Sequence, residues 1–190
     1  AFVQSDRMKE QVASHGIDPS RLTAVPMGVD LRSLGDHRSR PARSVGHGLT
    51  LGYLGTLDAG RHLDVLIDML AELHRSGLPA RLLLIGDASA PRDREALEAH
   101  ARQLQVAEHV EITGMLPRQA AMVRMMDADI GLSPIYRSPV LDVGSPTKLV
   151  EYLAMGRPIL GIAPKGELWG ILQRFPQARL FEPQNVAGIA

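Results

Sequence analysis

Apolar residues gather along this chain in short, strand-length runs, and most of the runs are apolar at successive positions rather than at every second one. Leu49 to Leu54, Arg81 to Ile85, Val110 to Thr113, Ile130 to Ser133, Ile159 to Ile162 and Arg179 to Phe181 are the strand candidates. Continuously apolar strands suit a parallel sheet whose two faces are both covered by helices. Between the runs the period changes. Leu63, Leu66, Ile67, Leu70 and Leu73 recur at the three- and four-residue intervals of one helix face. The stretches Asp93 to Gln105 and Gln119 to Met126 are helix-forming in composition. Repeated βα units predict an α/β, Rossmann-like, doubly wound parallel sheet with right-handed crossovers, and ligands at the carboxyl ends of its strands.

The two ends read differently. Ala1 to Ser5 has the pattern of a strand end running into a helix capped by Ser5 and reaching Ser14, and Pro183 to Ala190 begins a helical pattern that stops unfinished. Both ends therefore read as cut from something larger. Gly28 to Gly48 is rich in Arg, Ser, His, Pro and Gly, with few large apolar residues, and reads as a connection between lobes. The expected division is residues 1–28 as the tail of a preceding lobe or an interlobe segment, 29–48 as linker, and 49–190 as the doubly wound domain, truncated at its C-terminus.

Composition narrows the chemistry. The 190 residues are 45% hydrophobic, enough for one core, and the 21 basic and 21 acidic side chains cancel. With no run of like charge and no basic-aromatic patch, a nucleic-acid partner is not expected. The apolar runs fall well short of the roughly 20 residues of a spanning helix, and the start has no secretory pattern, so a cytoplasmic protein is expected. There is no cysteine, which removes disulfides, thiolate metal sites and a Cys nucleophile.

The densest chemistry lies between Gly144 and Pro158. Ser145 stands where a helix N-cap belongs, Pro146 has the fixed φ of a first helical residue, and Gly156 followed by Pro158 closes the helix. Its first turn offers unpaired N–H groups and the positive end of a dipole, with Thr147 adding a hydroxyl and Lys148 an ammonium, so an anion is the natural ligand. Leu149, Val150, Leu153 and Ala154 form the inward stripe. Glu151 lies one turn after Thr147, where its carboxylate can share a cleft with the bound anion and suits a hydroxyl-rich ligand. Spacing alone leaves an ordinary amphipathic helix with a solvated Glu equally open.

A second loop, Gly52 to His62, follows a strand and opens a helix near Leu63. Gly55 and Gly60 permit close backbone approach and Arg61 offers a planar donor fork for a diphosphate. The spacing is neither that of a dinucleotide fingerprint nor that of a Walker loop, and a plain βα turn with a surface Arg remains open. Ile85-Gly86-Asp87 and Thr113-Gly114-Met115-Leu116-Pro117 end two further strands and would face the same crevice, where backbone groups can meet a base. Asp127 and Asp129 have the spacing of a metal-binding acidic pair, yet they precede the strand beginning at Ile130, the edge of the sheet away from the crevice, so capping is the expected role. The seven histidines, 15, 37, 47, 62, 74, 100 and 109, lack zinc-site spacing, and His62, beside Arg61, reads as a solvated loop residue. No nucleophile elbow is present.

Taken in order, Val25 to Asp30, Leu54 to Leu57 with Arg61, Leu84 to Asp87, Ile112 to Gly114, Ala128 to Pro134, and Pro146 to Pro158 resemble the C-terminal half of family 4 glycosyltransferases. The resemblance spans nearly the whole chain. It implies a GT-B enzyme of two Rossmann-like lobes, this one holding a nucleotide-sugar donor, UDP- or GDP-linked, and a missing N-terminal lobe holding the acceptor and any peripheral contact with the inner face of a membrane. By the same resemblance Glu151 binds the ribose. Arg61, Gly55, Thr56 and the turn Ser145, Pro146, Thr147 and Lys148 hold the diphosphate, while Gly86, Met115 and Leu116 face the base. Retention of configuration, independence of any metal or other cofactor, and a place in polysaccharide or lipopolysaccharide biosynthesis are also implied.

Two departures stand out. Eight positions before Glu151, where the family often has a second Glu, stands Val143, with Asp142 beside it as a weak catalytic candidate. After the first glycine of the phosphate loop, where a basic residue is common, stands Thr56. A nucleotide-sugar 2-epimerase of the same fold and a noncatalytic nucleotide-binding module are the alternative readings.

Overall fold

The computed structural model describes residues 1–31, 48–136, 147–163, 169 and 172–182. The six predicted strands are present as β3 (Leu49–Leu54), β4 (Ala80–Ile85), β5 (Val110–Ile112), β6 (Ile130–Pro134), β7 (Ile159–Ile162) and β8 (Ala178–Phe181). All pair in parallel, in the order β5-β4-β3-β6-β7-β8. Counted from β3 this is 3-2-1-4-5-6, the order of a doubly wound sheet, and the direction of winding reverses between β3 and β6. A ligand crevice belongs at the carboxyl ends of those two strands.

Helices α2 (Asp64–Arg75) and α3 (Pro91–Gln103) cover one face of the sheet, and α4 (Arg118–Met125) and α5 (Thr147–Ala154) the other. The alternation of side chains along β4 shows why its run is apolar throughout. Leu82 and Leu84 pack with the leucines of α2, while Leu83 and Ile85 pack with Met122 and Met125 of α4. Asp127 and Asp129 act as expected for residues at the opposite end from the crevice. The Asp129 carboxylate accepts from the Thr50 amide at 2.8 Å, and Asp127 pairs with Arg124, which also bridges to Glu111.

The first 24 residues form a separate parallel pair, β1 (Phe2–Val3) and β2 (Thr23–Ala24), joined through α1 (Asp6–Ser14). Ser5 caps α1 as read, its Oγ accepting from the Met8 amide at 3.0 Å. The sequence reading did not anticipate β2, whose two residues carry too little pattern to mark a strand. The proposed linker lies almost entirely outside the described residues, as do residues 183–190.

Seating of α5 depends on its aromatic residue. Tyr152 is fully buried and its hydroxyl accepts from the Leu54 amide at 3.0 Å, which ties the helix to the end of β3. A β-carbon on Gly131 would lie 2.6 Å from the Tyr152 ring, so the strand must present glycine there. The helix closes at Gly156, with φ +67, where the Gly156 amide bonds to Leu153 O and the Arg157 amide to Tyr152 O, the paired bonds of a Schellman cap. Gly131→Ala is expected to destabilise the chain by about 1–3 kcal/mol in urea unfolding, the usual cost of overpacking. An unchanged midpoint would mean that α5 is not held against β6 in this way.

Candidate functional site

At the crevice end of β3 the backbone is drawn tight against β4. Gly55 has φ +154 and Gly86 φ +141, and a β-carbon on Gly86 would collide with Gly55 O. The Gly55 amide donates to Ile85 O at 2.9 Å and the Leu57 amide to Asp87 O at 3.0 Å. Of these first three loop amides, only that of Thr56 lacks a protein acceptor among the described residues. The rest of the loop is pinned to the turn before α3. Asp58 Oδ1 accepts from the Ser89 amide at 2.7 Å, a bond that holds the Asp58 carboxyl below its ordinary pKa, and the Ala59 amide donates to Asp93 Oδ2 at 2.9 Å. Arg61 ends a short 3-10 turn, Ala59–Arg61, and so leaves a braced loop. His62 follows in the left-handed region, φ 49, its exposed ring 4.6 Å from that of Tyr136, just beyond β6.

Lys148, from the first turn of α5, reaches over this loop. Its side chain occupies the volume a β-carbon on Gly55 would need, so the room left by that glycine is filled by an ammonium. Lys148 Nζ donates to Tyr53 Oη at 2.9 Å and lies 4.5 Å from the centre of the Tyr53 ring. Burial first, and then the nearby Arg61 guanidinium, lower its pKa to about 8, with the Glu151 carboxylate partly offsetting both. Lys148, Arg61 and Glu151 are therefore within electrostatic reach of one another. Thr56 contributes its carbonyl, which accepts from Tyr53 Oη at 3.1 Å, while its Oγ1 is shielded from solvent, lies near enough to Asp58 to help lower that carboxyl, and has no hydrogen-bond partner of good geometry among the described residues.

Glu151 is buried, which removes the solvated reading of α5. Arg118, the first residue of α4, donates to Glu151 Oε1 at 2.6 Å from a largely exposed position. The strand ends thought to face a base fall beside this pair in the chain. The Gly86 amide bonds to Thr113 Oγ1 at 3.2 Å, Gly86 bridges to Gly114, Met115 is exposed, and Leu116 packs against the α4 and α5 core. Thr147 is half-buried at the start of α5. Asp142, Val143, Ser145 and Pro146 lie outside the described residues.

Sequence reasoning missed Tyr53 and Arg118. Each left a trace: Tyr53 puts a polar tip near the end of the apolar run Leu51 to Leu54, and Arg118 places a cation at a helix start, against the dipole. No group of three or more metal-ligating side chains occurs among the described residues, and no helix among them is long and apolar enough to cross a membrane.

A doubly wound lobe takes its ligands at the switch point, and here Lys148, with Arg61 and the buried Glu151 in electrostatic reach, stands at that end of the sheet. The family model described as "Glycosyl transferases group 1" matches residues 48–190, and this chain belongs to that family. A WcaL glycosyltransferase of Salmonella typhimurium, named for colanic acid biosynthesis, is 27% identical over 163 residues, 85% of this chain and 39% of the relative. A GDP-mannose-dependent α-(1-6)-phosphatidylinositol dimannoside mannosyltransferase of Mycobacterium tuberculosis is 32% identical over 124 residues, 62% of this chain and 30% of its own length. Among solved structures, the Anabaena protein Alr3699/HepE, in complex with UDP and glucose, superimposes with a TM-score of 0.72 at 17% identity, over 99% of this chain and 51% of that one. The lipopolysaccharide outer core galactosyltransferase WaaB, in its apo form, gives 0.70 at 21% identity, over 98% and 49%. These two share the fold. The chain thus spans about half the length of these solved structures and less of the curated relatives.

The depressed pKa of Lys148 has a thermodynamic signature. Its folded value, about 8, lies below the ordinary 10.5, so the cost of holding the charge is fully present below pH 8 and is relieved between pH 8 and 10.5. The unfolding free energy of the wild type relative to Lys148→Met should therefore rise across that window, by up to about 3 kcal/mol. A difference that stays flat with pH would show that the ammonium is fully hydrated.

Proposed function

We propose that this chain is the donor-binding lobe of a retaining glycosyltransferase that moves a sugar from a UDP- or GDP-linked donor to an acceptor hydroxyl, in the assembly of a bacterial polysaccharide or lipopolysaccharide. The observation that carries the reading is the juxtaposition of Lys148, Arg61 and buried Glu151 at the carboxyl ends of β3 and β6. An ammonium whose charge is opposed by burial and by a neighbouring guanidinium is relieved by an anion, and a diphosphate supplies it. As the bond between sugar and diphosphate breaks, negative charge grows on the departing oxygen. Lys148 and Arg61, with the dipole of α5 and the Thr147 hydroxyl, then stabilise that charge in the role a metal cofactor fills elsewhere.

Glu151 accepts from the ribose hydroxyls, with Arg118 holding its carboxylate in place in the unliganded site. Backbone at Gly86, Met115 and Leu116 meets the base, and Gly55, Thr56, Ser145 and Pro146 complete the diphosphate site. Asp142 is kept as the weak catalytic candidate. In the whole protein, residues 1–28 belong to the end of the acceptor lobe or the interlobe segment, 29–48 to the linker and 49–190 to the donor lobe. It would act in the cytoplasm, at the inner face of the membrane through the other lobe.

Calorimetric titration of the chain with UDP and with GDP tests the donor site, and one of the two is expected to bind. Absence of heat with either at millimolar concentration would sink the reading. Glu151→Ala is expected to weaken binding of that nucleotide roughly tenfold or more while leaving inorganic diphosphate within about twofold, as expected for loss of a charged hydrogen-bond acceptor. Equal losses for both ligands would show that Glu151 does not read the ribose.

A further inference from the structure

Tyr53 is nearly fully buried near the end of β3, yet its hydroxyl meets the loop that follows the strand and the ammonium of Lys148. It donates to Thr56 O at 3.1 Å and accepts from Lys148 Nζ at 2.9 Å, so both capacities of the phenol are used. Resting on the donor-site reading above, we propose that Tyr53 is a positioning residue for the diphosphate: its phenol and ring hold the Lys148 ammonium over Gly55, so that the donor meets a preset cation.

Three independent features of the geometry support this role. Gly55 has no β-carbon where Lys148 passes, so the ammonium can approach the loop backbone. The ring face lies near the ammonium, an added attraction in a half-buried setting. The bond from Tyr53 to Thr56 O joins the holder of the cation to the loop that carries Arg61, so cation and loop keep one spacing. A core aromatic needs none of these, and phenylalanine would fill the same volume.

Burial raises the Tyr53 phenol to about 12, so it stays protonated and accepts only from a charged or neutral amine at Lys148. Among the described residues the groups acting on Lys148 are Tyr53 from β3, Arg61 from the following loop and Glu151 from its own helix; behind them Asp58 acts on Tyr53, Tyr152 lies within reach of Tyr53 and Glu151, and Arg118 of α4 pairs with Glu151. A bound diphosphate adds negative charge to this set and draws a proton onto Lys148. Nucleotide binding is therefore coupled to proton uptake, and affinity falls as pH rises above about 8 in the unliganded protein.

The test is nucleotide affinity between pH 7 and 9.5 for wild type, Tyr53→Phe, Lys148→Arg and Lys148→Met, using whichever of UDP or GDP binds. The wild-type affinity should fall toward tenfold per pH unit above about 8. Lys148→Arg, whose guanidinium stays charged, should show only the titration that belongs to the ligand. Tyr53→Phe should bind about tenfold more weakly at pH 7, with its decline beginning at lower pH, and should cost nothing further in a Lys148→Met background. If the Tyr53→Phe profile superimposes on wild type, or its loss is undiminished in the Lys148→Met background, the positioning role is overturned.

A second measurement does not depend on how that variant folds. Calorimetry at pH 8.5 in buffers of different ionisation enthalpy should show net proton uptake, a fraction of one proton per nucleotide, by the wild type and none attributable to the protein in Lys148→Arg. No uptake by a wild type that binds would overturn the preset cation while leaving the donor site intact. Failure of the wild type to bind either nucleotide is the separate failure of the donor-site reading.

Discussion

The Lys148 ammonium is held half out of water above Gly55, where the ends of β3 and β4 and the start of α5 converge, and the crevice end of the molecule is arranged around that charge. Losing hydration disfavours the charged amine, and the Arg61 guanidinium disfavours it further. Three groups offset these costs: the Tyr53 hydroxyl, the face of its ring, and the carboxylate of Glu151. The balance leaves the site short of negative charge at rest. A pocket in this condition favours an anionic ligand before any detailed contact is considered, which is the physical ground of the proposed diphosphate site.

Holding a charge there imposes demands on the scaffold. Gly55 and Gly86 must both be glycine, one to let the lysine pass and the other to let the two strand ends touch. The α5 helix must be seated to within a fraction of an ångström, which Tyr152 achieves by filling the space above Gly131 and bonding to the end of β3. Arg61 must come from a loop that cannot drift, and the bonds from Asp58 to Ser89 and from Ala59 to Asp93 tie that loop to the next βα unit. The same economy of position appears at Glu151. A buried carboxylate requires a partner, and Arg118 supplies one from the adjacent helix while remaining exposed enough to move.

The chain belongs to the group 1 glycosyltransferases, and within that family the two departures noted in the sequence acquire different meanings. Thr56, standing where a basic residue is common, is not a gap in the charge of the site, because Lys148 supplies an ammonium to the same loop from another element. Val143 lies outside the described residues, so the sugar-proximal end of the crevice rests on Asp142 as a proposal alone.

The strands, the helices of the core and the direction of the crevice were legible in the sequence, because continuous apolar runs and a 3.6-residue period are local consequences of burial on two faces and on one. Strand boundaries agreed to within a residue, and the short helix closed at Gly156 was legible from its breakers, while its anion-binding character is a proposal. The two-residue strand β2 was not legible, since pairing with β1, rather than its own pattern, makes it a strand. Nor could spacing decide whether Glu151 was solvated or buried, or that Arg118, 33 positions earlier, would pair with it. The contact between Tyr53 and Lys148, 95 positions apart, lay beyond it for the same reason. Local periodicity tells which side of an element faces inward, while the chemistry of this site depends on which inward or edge positions of different elements meet, and only the packing of α5 and α4 against the ends of the sheet decided that.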